Sequence, residues 1–70
     1  MSRIVVLGGA ESGVGAAVLA KVKGFDVFLS DKGKIAEHYA QTLKEWDIPF
    51  EQGQHSEELI LNADEVIKSP

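Results

Sequence analysis

Between residues 5 and 21 the chain reads VVLGGAESGVGAAVLAK, and its hydrophobic pattern changes period across a pair of glycines. On the near side, RIVVL at residues 3–7 is a short, nearly continuous apolar run rich in β-branched residues, the pattern of a strand covered on both faces. On the far side, from Ser12 to Lys23, Val14, Val18 and Val22 recur at helical spacing with Ala17 beside them, giving one apolar stripe. Ser12 has the chemistry of an N-cap and Gly24 that of a C-terminal stop. A strand that runs through glycines into a helix is the opening of a βαβ unit. That narrows the fold to the α/β class.

The remaining elements repeat the alternation. FDVFLS at 25–30 reads as a second strand, ended by Asp31. Residues 34–46 form a second helix, with Ile35, Tyr39, Leu43 and Trp46 on its apolar stripe, Ala36 and Ala40 alongside, and Glu37, Gln41, Lys44 and Glu45 on the wet side. Pro49 disfavours a helical Ile48 and ends it. PFEQG at 49–53 is a short third strand near an edge. A helix of one to two turns starts at His55 or Ser56, and EVIKS at 65–69 is the fourth strand. Right-handed crossovers then predict a Rossmann-like parallel sheet, βαβαβαβ, in the order 3-2-1-4. Ligands in such sheets bind at the switch point beyond the carboxyl ends of the strands. Here that crevice lies between the glycine corner and KSP after the fourth strand.

Composition bounds what can bind there. Seventy residues make one small domain with a marginal core, and the end in ADEVIKSP reads as the first piece of a longer protein, cut after strand 4. The net charge of −4 comes with no basic cluster, which argues against a nucleic-acid surface. Cysteine is absent, removing disulfides and thiolate chemistry. No apolar run approaches the roughly 20 residues of a membrane span, and MSRIVV lacks the regions of a signal peptide. The expected compartment is the cytoplasm.

Read as a dinucleotide fingerprint, the corner is Gly8-x-Ala10-x-x-Gly13, with alanine where the second glycine would admit a pyrophosphate. Free N–H groups and the helix dipole still favour an anion at this corner. A ligand-free tight turn is the competing reading. Gly13 and Gly15 fall in the first helical turn, where glycine allows close packing on the strand. Asp31 lies 23 positions after Gly8 and either accepts from a ribose or a base, or caps the helix that follows. Lys32 is a loop charge that can line the same pocket. Glu11 repels phosphate, so phosphates are not expected directly on this loop. His38 and His55 are expected to face solvent, since neither has a second ligand at metal spacing. No phosphate-binding loop ending in Lys-Ser/Thr is present.

RIVVLGGAESGVGAAVLAK, VFLSDKG and ADEVIKSP together resemble the N-terminal domain of the Mur ligases of peptidoglycan synthesis, over essentially all 70 residues. Within that family the resemblance is to the ligases that add D-glutamate to UDP-N-acetylmuramoyl-L-alanine. It implies that residues 1–70 are the N-terminal domain that binds the uridine diphosphate part of a UDP-N-acetylmuramoyl peptide substrate. By the same resemblance Gly9, Ala10, Glu11, Ser12, Gly13, Asp31 and Lys32 surround uridine, and Ser69 with Pro70 approaches the phosphates. ATP and Mg²⁺ are expected in a central domain of the full-length enzyme and the incoming amino acid in a C-terminal one, so this piece recognises substrate without catalysing, beside its own missing domains. An NAD(P)- or FAD-binding domain of an oxidoreductase or transport regulator, and a ligand-free interaction module, are the alternatives.

Overall fold

A computed structural model describes residues 2–69. Its elements run β1 (Arg3–Leu7), α1 (Glu11–Val22), β2 (Asp26–Asp31), α2 (Glu37–Glu45), β3 (Phe50–Gln52), α3 (Glu57–Ile60) and β4 (Glu65–Lys68). All pairings are parallel, in the order β3-β2-β1-β4, as the crossover argument predicts.

The two faces of the sheet differ. Ile4 and Val6 of β1 with Val27 and Leu29 of β2 pack against Val14, Ala17 and Ala20 of α1, Ile35, and Leu43 of α2, forming the main core. Leu29 and Leu43 are fully buried, and truncating either to alanine would cost about 2–5 kcal/mol. The opposite face carries Val5, Phe28 and Ser30, all buried. The chain from Gln54 to Leu59 covers it: the Gln54 carbonyl oxygen lies 3.2 Å from the Ser30 hydroxyl, and the Leu59 carbonyl accepts from Arg3 Nη2. The Arg3 guanidinium lies 5.5 Å over the Phe28 ring and pairs with Asp26. Val66, beside Val5 in register, is only partly covered. None of the described helices is long and apolar enough to cross a membrane.

The helix ends depart from the sequence pattern in instructive ways. Gly24 stops α1 as expected, with φ +90° and the Phe25 N–H donating back to the Ala20 carbonyl. Ser12, however, is not the N-cap of α1. Ala10 holds that position in extended conformation, with no side-chain cap, and the helix starts one residue earlier than expected. The second helix begins at Glu37 rather than at 34, because residues 31–33 make a turn of their own. It ends where Asp47 turns left-handed at φ +55°, ahead of Pro49. Trp46, placed in the core by its helical spacing, therefore falls in the exit turn and is 43% exposed. Val22, expected on the apolar stripe of α1, is 62% exposed, because the buried face runs through Gly13, Val14, Ala17 and Ala20 and Val22 lies on the opposite side of the helix.

Candidate functional site

The carboxyl ends of β1, β2 and β4 meet at the glycine corner. After Leu7 the chain turns at Gly8, whose φ of +117° is a conformation that L side chains rarely adopt. The Gly8 N–H donates to the Ser30 carbonyl at 2.8 Å, tying the corner to β2. Gly9 is buried, and its N–H donates to Asp31 Oδ2 at 2.7 Å. A Cβ at Gly9 would press into Ile35. Asp31 Oδ1 accepts from the Gly33 N–H at 2.8 Å, so its carboxylate spans the corner and its own turn. Both oxygens are held by backbone amides outside α2. The helix-cap reading of Asp31 is thereby corrected.

From Ala10 the chain enters α1. The Ala10 carbonyl accepts from the Val14 N–H, and Ala10 and Glu11 are exposed. Gly13 is buried against β1, where a Cβ would land on the Gly8 carbonyl oxygen. This is the close approach of helix to strand expected of that glycine. Gly15 does not share it: its side faces open space, since α1 has rotated it away from the sheet.

The β4 side closes the crevice. The Ser69 N–H donates to the Leu7 carbonyl at 2.9 Å, and its Cβ lies where a side chain on Gly8 would stand. Ser69 Oγ and Ser12 Oγ are 2.7 Å apart, a direct hydrogen bond across the switch point. Displaced from capping, Ser12 thus uses its hydroxyl between helix and strand. Lys32 is exposed on the turn beyond Asp31. Pro70 lies outside the described residues. The structure brings together Gly9 with Asp31 and Ser12 with Ser69, while Glu11 and Lys32 stand exposed at the rim. Two open grooves flank α2 instead, one lined by Lys44, Asp47, Ile48, Pro49 and Phe50 and the other reaching from Lys34 to Gln52; neither is lined by residues 8–13 or 69.

A second polar cluster lies behind β2, and sequence reasoning missed it. The buried Ser30 hydroxyl stands 2.9 Å from Glu51 Oε2 and 2.7 Å from His55 Nδ1. The Glu51 carboxylate also accepts from the Ser56 N–H at 2.8 Å, the Ser56 hydroxyl at 2.6 Å and Gln54 Nε2 at 3.3 Å. Burial alone would raise the Glu51 pKa; the hydrogen bonds from Ser56, Ser30 and Gln54 together outweigh it and hold the carboxyl below 4.5. Glu51 is therefore ionised and acceptor-only at neutral pH. Ser30 has one proton, and with that proton donated to Glu51 or Gln54 the His55 Nδ1 must be the donor to Ser30. Although the His55 residue is exposed, as expected, its ring is anchored at one nitrogen. The signal was a serine ending an otherwise apolar strand, since a buried hydroxyl requires partners.

Comparison with known proteins gives a consistent result. The family model for the MurD N-terminal domain matches residues 3–70. The UDP-N-acetylmuramoylalanine--D-glutamate ligase of Bacteroides thetaiotaomicron is 63% identical over 70 residues, 100% of this chain and 16% of that protein. That of Porphyromonas gingivalis is 60% identical over 67 residues, covering 96% of this chain and 15% of its own length. That of Chlorobium phaeobacteroides is 40% identical over 68 residues, 97% of this chain and 14% of its own length. The chain thus spans about one sixth of the length of the first of these relatives.

Proposed function

Since the chain belongs to the MurD N-terminal domain family, we propose that it binds the uridine diphosphate end of UDP-N-acetylmuramoyl-L-alanine. The full-length protein is then an ATP-dependent ligase that adds D-glutamate in peptidoglycan synthesis. In this reading the chain supplies recognition, while ATP, Mg²⁺ and the amino-acid site belong to the rest of the enzyme. The relatives' names support the ligase and offer nothing to the oxidoreductase alternative.

The observation that carries the reading is the crevice between α1 and β4. Its two walls meet through the Ser12 and Ser69 hydroxyls, and its floor is the Gly8–Gly9 backbone. The Ser12 and Ser69 hydroxyls, with the first-turn amides of α1 that have no intrahelical acceptor, suit the many acceptor oxygens of a nucleoside diphosphate. Asp31 stands at the β2 end, where a carboxylate can take a base N–H or a ribose hydroxyl in addition to the Gly9 amide. Glu11, exposed at the mouth, disfavours phosphate on its side and directs the diphosphate toward Ser69.

The test is a titration of the chain with UDP, NAD, FAD and ATP, followed by amide resonances in ¹⁵N spectra. UDP should move the amides of residues 9–13, 31–32 and 69. Binding of NAD or FAD without UDP would overturn the reading.

A further inference from the structure

Three consecutive residues at the carboxyl end of β3 each hold the segment that carries Asp31. Glu51 takes the Ser30 hydroxyl at 2.9 Å, Gln52 Oε1 accepts from the Ile35 N–H at 2.8 Å, and the Gly53 N–H donates to the Gly33 carbonyl at 2.9 Å. Neighbouring side chains in a strand point to opposite faces. In register, Glu51 pairs with Ser30 and Gln52 with Asp31, so the two side chains grip the 30–35 segment from the two sides of the sheet. What they hold in turn holds the corner. The Ser30 carbonyl accepts from Gly8, Asp31 Oδ2 accepts from Gly9, and Ile35 packs where a Gly9 side chain would be.

We propose that Glu51 and Gln52 are positioning residues for the glycine corner: from opposite faces they clamp residues 30–35 and so set the Asp31 carboxylate against the Gly9 amide. That the clamped corner takes a nucleotide rests on the reading above. Neither residue reaches the corner itself. Glu51 acts through Ser30, and Gln52 through Ile35. Glu51 also fastens the turn into α3 through Ser56, so one carboxylate fixes β2, β3 and the covering segment together.

The experiment uses the chain with UDP as probe and compares Glu51→Ala, Gln52→Ala and Gln52→Glu, the last of which restores an acceptor for the Ile35 N–H. Each alanine variant should weaken UDP about three- to tenfold, the effect of losing the one hydrogen bond each side chain makes to the 30–35 segment, and should shift the Gly9 and Asp31 amide resonances while the chain stays folded. Gln52→Glu should return both readouts to their wild-type values, which a general loss of stability would not allow. Wild-type UDP affinity and an unmoved Gly9 amide in the alanine variants overturn the proposal. If Glu51→Ala does not fold, Gln52→Ala, at an exposed side chain, decides. If wild type takes no UDP, the nucleotide reading falls, and the Gly9 amide in Gln52→Ala and its return in Gln52→Glu still decide the clamp.

Discussion

Asp31 and Gly9 stand 22 positions apart in the chain and 2.7 Å apart in space, carboxylate oxygen to backbone N–H. Together with the Gly8 N–H bond to the Ser30 carbonyl, this contact joins the end of β2 to the corner after β1. With one backbone N–H on each oxygen, the carboxylate keeps acceptor capacity for further partners. Because Gly9 is buried, removing its acceptor leaves an N–H that water cannot readily satisfy.

Asp31→Ala is therefore expected to destabilise the chain by about 1–3 kcal/mol and Asp31→Asn by less, since the amide oxygen can still accept from Gly9. Urea midpoints measure both. Loss of UDP affinity in Asp31→Asn with little loss of stability would separate recognition from structure.

The two glycines of the first turns of α1 should respond in opposite directions. Gly13→Ala drives a methyl into the Gly8 carbonyl and is expected to cost about 3 kcal/mol or more. Gly15→Ala meets nothing within 4 Å and should stabilise by about 0.5–1 kcal/mol, the helix-propensity difference. Thermal melts of the pair test the rotational setting of the helix.

At the start of α1, Ala10 occupies the N-cap without a capping side chain. Ala10→Ser should add about 0.5–2 kcal/mol, as a hydroxyl there can accept from a free first-turn amide. Ser12→Ala should change stability by less than about 0.5 kcal/mol, because that exposed hydroxyl caps nothing, yet should weaken UDP. Denaturation and titration of the two variants side by side distinguish cap from ligand contact.

Glu51 predicts a pH dependence. Its folded carboxyl sits below 4.5, so its stabilisation is fully present above that value and is lost as pH falls through the folded pKa. Wild type should exceed Glu51→Gln in stability near neutral pH, and the difference should shrink as pH drops below 4.5. Urea denaturation across a pH series gives the comparison. A constant difference down to acid pH would show that ionisation of Glu51 does not matter.

The strand order was readable because βαβ handedness leaves little choice once the period changes at Gly8–Gly9, and Val5 and Val6 are indeed fully buried. The cap of α1 was not, because Ser12 is engaged by Ser69, 57 positions away, and local pattern carries no trace of that partner. Trp46 misled for a related reason. Helical spacing continued one residue past the helix, while the left-handed turn at Asp47 took that side chain out of the core. The spacing of Asp31 from Gly8 singled out a residue that the structure sets against the Gly9 amide, whereas Glu51 was hidden in a strand too short to show a period.

β4 joins β1 from the far end of the chain: the Arg3 N–H donates to Asp64, 61 positions later, at 2.7 Å. Local βαβ contacts form early, whereas a pairing across 61 positions must await closure of the whole intervening segment. The Ser12–Ser69 seam is therefore a late event of folding and, resting on a four-residue edge strand, among the first to reopen. On the proposed nucleotide reading, a ligand that bridges the seam would act as a latch on this late closure.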